Sequence, residues 1–162
     1  LKIDGVGWMF GATALASGAS RVYAGKLTDR LGPAKMVGPS ILLLALGCFG
    51  LAEVGRVGQY ALLMLVCSGM SAGLGYGVIY PALNAVAIER LDSATRGRGL
   101  ALVTASIDSG SFAGATLAGL VSHHLDYEAA FQAIALLLVI FLAIFASAER
   151  GQARYRTSST PE

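Results

Sequence analysis

Long runs without a charge set the limits on what this chain can fold into. Residues 57–88 contain no Asp, Glu, Lys or Arg over 32 positions, and residues 5–20, 36–52 and 129–148 are equally free of them. A fifth run, residues 99–121, carries one such residue, Asp108. A helix needs about 20 mainly apolar residues to cross a hydrocarbon core, so each run can span once a few flanking residues are included. The runs do not alternate polar with apolar, which argues against the strands of a membrane barrel. Charged residues make up only 14% of the chain, against roughly 25% in a soluble domain that must present a charged exterior. The expected fold is therefore an all-α membrane protein. Five transmembrane helices are placed near residues 5–24, 36–55, 58–88, 97–121 and 129–148, giving a bundle over 1–148 and a polar tail over 149–162. The third run exceeds one crossing at about 1.5 Å per residue, so it either kinks at Pro81 or projects beyond the membrane.

Short connections force consecutive helices to alternate in direction, and the basic residues then test the topology. One side receives Arg21, Lys26, Arg30, Lys35, Arg90, Arg96, Arg98, Arg150, Arg154 and Arg156; the other receives Lys2 and Arg56. Such a bias marks the first side as cytoplasmic. The stretch from Ala24 to Lys35 is then read as a cytoplasmic loop, Leu1 lies outside, and the tail from Glu149 is cytoplasmic and disordered. Because the chain opens on Leu1 rather than Met, it is expected to be a fragment of something longer.

Glycine is frequent (21 of 162 residues), and much of it falls in stripes. Gly7, Gly11, Ala14, Gly18, Arg21 and Gly25 recur at spacings of three and four. Gly69, Gly73 and Gly77 repeat every four, and Ser106, Gly110, Gly114 and Ala118 do likewise. Small residues on one face let helices approach closely, so packing is their expected role, with sliding or rocking as an addition. Cys48 and Cys67 lie in apolar runs without a CxxC pattern or a nearby His and read as buried small hydrophobes.

Asp108 stands out within its run, roughly 16 Å along a helix from Gly97. An intramembrane carboxylate is costly and should face water or a partner. It is either a proton-carrying or substrate-facing acid, or a residue that fixes packing through an interhelical hydrogen bond. Tyr80 and Asn84, one turn apart beside Pro81, either line a cavity or hydrogen-bond between helices. His123 and His124 fall in an outer loop and read as solvated, so no metal site is expected.

Gly32-Pro33 marks a turn followed by a helix start. The residues before it, Gly25-Lys26-Leu27-Thr28-Asp29-Arg30-Leu31-Gly32, resemble the G-x-x-x-D-[RK]-x-G motif of the major facilitator superfamily. That motif recurs between the second and third helices of each half of those transporters. The usual basic pair after the last glycine is Pro33-Ala34 here, with Lys35 one place later. Tyr80-Pro81-Ala82-Leu83, Glu89-Arg90-Leu91 and Arg96-Gly97 resemble the family's tenth helix and the loop after it. Ile107-Asp108-Ser109-Gly110, with Gly114 and Gly119, is similar to a pattern of its eleventh helix. Ala115 and Ala118 depart from the related antiporter motif there, so antiport does not follow from it.

The resemblance covers about Gly5 to Arg150, as helices eight to twelve of twelve, and is nearest to bacterial efflux permeases of the arabinose or drug-efflux type. It implies an inner-membrane secondary transporter that moves a small organic solute by alternating access, with efflux coupled to protons. Arg21, Gly25, Asp29, Arg30 and Gly32 would form a cytoplasmic gating latch, with Arg90, Arg96 and Gly97 in the second cytoplasmic loop. Asp108, Asn84 and Tyr80 are the intramembrane coupling candidates. The implied partners are the lipid bilayer, the solute, a proton and an N-terminal half that this chain lacks. The alternative is a non-transporting membrane fragment or subunit that needs a separate N-terminal half. An intramembrane enzyme finds little support, because both histidines lie outside the runs and no paired intramembrane acids exist. No cofactor is implied, and no basic folded surface suggests nucleic acid.

Overall fold

A computed structural model describes residues 3–158 apart from Ser93; the side chains of residues 3, 4, 29 and 150–158 lie outside the description. All regular elements among the described residues are helical. They are α1 (Ile3–Leu31), α2 (Pro33–Glu53), α3 (Ala61–Arg90), α4 (Arg96–His124) and α5 (Tyr127–Ser158), with 3₁₀ turns at Val54–Arg56 and Gly58–Tyr60 between α2 and α3. Four helical stretches are long and apolar enough to cross a membrane: Pro33–Arg56, Gly58–Arg90, Arg96–His124 and Tyr127–Glu149. The first expected span, α1, has 29 residues and so has the length. Its Gly, Ser, Ala and Thr content leaves it less apolar than the others.

The turn between α1 and α2 differs from the expected loop. Residues 25–31 are the last two turns of α1, and the chain reverses at the single residue Gly32. Ala24, Lys26, Leu27, Arg30 and Leu31 are good helix formers, so polarity alone does not unwind the segment. Gly32 adopts φ 85° and ψ 143°, a conformation open almost only to glycine. Its N–H donates to the Thr28 carbonyl at 2.9 Å. Pro33 then starts α2 at the position where its missing N–H costs nothing.

The expected disordered tail also changes: α5 continues as helix to Ser158. Glu149, Arg150, Gln152, Ala153, Arg154 and Arg156 all favour helix and outweigh Gly151 and the weaker formers Tyr155, Thr157 and Ser158. His123 and His124, expected in a loop, are the last residues of α4, with ring centroids 5.1 Å apart.

α3 is the central element, and its small residues explain why. A methyl group added at Gly69 would come 2.9 Å from the Met9 carbonyl, and one at Gly77 would come 2.5 Å from the Ser17 carbonyl. Added at Gly75, it would lie 2.6 Å from the Ser40 carbonyl of α2; at Gly47 of α2, 2.6 Å from the Ala72 nitrogen. So α1 and α2 each lie backbone to backbone on α3, on different sides of it. Without water to drive apolar burial, such close packing is the main source of helix association in a bilayer. Ser71 of α3 adds an interhelical hydrogen bond, its hydroxyl donating to the Leu43 carbonyl at 2.8 Å. Toward the end of α3, Met36, Val37, Ile41, Ala82 and Val86 form a buried cluster, which Leu138, Leu142 and Phe145 of α5 flank.

Candidate functional site

The helix ends at Leu31, Pro33, Arg90 and Arg96 lie on one side of the bundle, because each connection reverses the chain, and Glu149 of α5 lies on that side beside Arg90. On α1, Arg21, Gly25 and Asp29 are four residues apart and share one face. Arg21 and Arg30 are exposed, and the Asp29 side chain lies outside the described residues. A methyl group at Gly25 would meet nothing within 4 Å, so this face is open at Arg21 and Gly25.

Arg90, at the end of α3, forms an ion pair with Glu149 of α5. Arg90 was expected in the second cytoplasmic loop and is instead the last residue of α3. The signal for the pair was present, since the charge-counted topology brings Glu149 to the same side. Arg96 and Gly97 are exposed in the first turn of α4, and Leu91 folds over Gly99. At the other end of the bundle Arg56 contacts Glu53 at 3.0 Å and Glu128 at 3.6 Å, which ties the end of α2 to the start of α5.

The three coupling candidates, Asp108 midway along α4 and Tyr80 and Asn84 toward the end of α3, are not joined by hydrogen bonds. The Asn84 amide donates to the Tyr80 backbone carbonyl at 3.1 Å, so it is used within α3 itself. The Tyr80 side chain is exposed. Asp108 is exposed on α4 and makes no hydrogen bond or ion pair among the described residues. The packing reading of Asp108 therefore has no described partner in this chain. Two serines and a threonine near it, Ser106, Ser111 and Thr116, donate only to carbonyls of their own helix, each at 2.8 Å.

α4 has no buried residue at all, and Phe112, one turn beyond Asp108, is 78% exposed. A methyl group at Gly110, Gly114 or Gly119 would meet nothing within 4 Å. The same holds for Gly7, Gly11 and Gly18 on α1. Two of the three expected packing stripes thus pack against nothing among the described residues, whereas Gly69, Gly73 and Gly77 meet close neighbours there. α1 approaches α3 through a different face, made of Met9, Thr13, Ala16, Ser17 and Ser20. A stripe read in sequence shows that a close approach is possible, and leaves open which helix makes it.

A family model described as Major Facilitator Superfamily matches residues 2–161. No curated protein and no solved structure matches the chain.

Proposed function

Because the chain belongs to the Major Facilitator Superfamily, whose members are transporters, we propose that it forms one wall of a secondary active transporter. It takes the place of helices eight to twelve and works with a further set of helices. The transported species is a small organic solute, moved outward against proton entry by alternating access. The observation that carries this reading is the condition of α4. A midspan carboxylate lies there about 200° around the helix from Ser106 and its small-residue stripe, and both faces are bare on a helix with no buried side chain. An acid at that depth needs water or a partner, and a transport pathway between two halves supplies both. The open face of α1, with Arg21, Gly25 and Asp29 at its basic end, is the surface on which a gating latch would close. The bias of basic residues supports a cytoplasmic location for that end and for the C-terminus.

The chain therefore transports only when combined with a second helical half, which is also how a separate-subunit arrangement would behave. Proteoliposomes holding the chain alone should show no saturable solute-dependent proton flux, and those holding both halves should show it. Flux from the chain alone would refute the two-half reading. Equal flux with Asp108→Asn would remove Asp108 from proton coupling.

A further inference from the structure

The seam between α2 and α5 stays open along one side. At its basic end Ala34, Gly38, Leu142, Phe145 and Ala146 wall a groove of about 300 Å³, with Lys35 and Glu149 at the mouth. Along the same two helices a second groove, of about 450 Å³, runs past Leu42, Leu46, Phe49 and Leu136. Both lie in helices long and apolar enough to cross a membrane. An apolar groove in a bilayer takes either another helix or a lipid chain.

Helices dock along continuous small-residue faces; here Ala34, Gly38 and Ala146 are small, but the lips of the same seam farther along α2 and α5 are large. Leu42, Leu46, Phe49 and Leu136 are 49%, 55%, 53% and 61% exposed. The bare small-residue faces of the molecule are on α1 and α4. The mouth is also positively charged. Lys35 makes no ion pair among the described residues, and Glu149, the carboxylate among the described groove residues, is held by Arg90. The first turn of α2 has no acidic residue and no side-chain cap, so the helix end adds to the same potential. We propose that this groove seats an acyl chain of an anionic glycerophospholipid, with the phosphate at Lys35 and the chain between Gly38 and Phe145. The inference needs only membrane-crossing helices and stands apart from the transport reading.

The test places the chain in nanodiscs with phosphatidylglycerol carrying a photoactivatable acyl chain, and compares the same label on phosphatidylcholine. Peptides containing Gly38 and residues 142–146 should be labelled about fivefold more by the anionic lipid, the ratio given by roughly 1 kcal/mol per basic residue at a membrane surface. Lys35→Gln should bring that ratio close to unity. Lys26→Gln removes the same charge outside the groove and should leave it unchanged. Gly38→Leu fills the groove from the α2 side and should lower labelling of residues 142–146 by both lipids. Equal labelling by the two lipids overturns the proposal, and so does an equal loss in both lysine variants. Chain–chain adducts at this seam in place of lipid adducts would also overturn it, because a second helix would then be the occupant.

Discussion

Gly77 and Gly18 belong to stripes of similar spacing, yet only Gly77 has a neighbour. A methyl group at Gly77 would run into the Ser17 backbone at 2.5 Å, whereas one at Gly18 would meet nothing within 4 Å. Gly77→Ala must therefore push α1 away from α3. It should cost about 1–3 kcal/mol, as overpacking of a close contact does, seen as a lower melting temperature in detergent. Gly18→Ala should leave the melting temperature equal or raise it, since alanine favours helix by about 0.5–1 kcal/mol over glycine. A melting loss at Gly18 equal to that at Gly77 would mean that the face of α1 is covered within this chain. Asp108 belongs to the same scale. If it carries the proton, Asp108→Asn should flatten the dependence of transport on pH. Transport that keeps its pH profile while expression falls would favour a packing role instead. The distinct position of Asp108 was plain from the sequence, because one acid in a long apolar run is easily seen. Its lack of a partner among the described residues was not, because that depends on which face of α4 the neighbouring helices leave bare.

Among the elements, the α1–α2 junction has the sharpest requirement. Gly32, at φ 85° and ψ 143°, reverses the chain in one residue. Gly32→Ala should store about 1–3 kcal/mol of backbone strain, read as unfolding at a lower fraction of sodium dodecyl sulfate by circular dichroism. An unchanged midpoint would show that the turn has another way to form. The sequence announced the turn through Gly32-Pro33 but overstated its length, since Lys26, Thr28 and Arg30 look like loop residues and still propagate helix. The ion pair between α3 and α5 is a smaller matter. Arg90 and Glu149 have side chains 46% and 33% exposed, and such pairs contribute about 0–1 kcal/mol. Arg90→Gln should shift the melting temperature only slightly. A large drop would mean that this end of the bundle depends on the pair more than its exposure suggests.

As a whole, the molecule has a packed half and a bare half. α2, α3 and one face of α1 bury one another, and α5 flanks their core. α4 and the other face of α1 are left uncovered. The helical class and the family were legible from charge-free runs and a few spaced motifs. The division into packed and bare faces was not, because equally spaced small residues serve both purposes. Under the transport reading, the bare half meets an aqueous pathway and the second set of helices. The most direct measurement is the reactivity of Asp108→Cys toward a membrane-impermeant maleimide, with Cys48 and Cys67 replaced by alanine and the complementary half present. Position 108 should label at a rate comparable to His124→Cys at the end of the same helix. Leu137→Cys, exposed midway along the apolar stretch Tyr127–Glu149 of α5, should stay unlabelled. A position 108 as unreactive as position 137 would place Asp108 against lipid or packed protein, and would contradict the account.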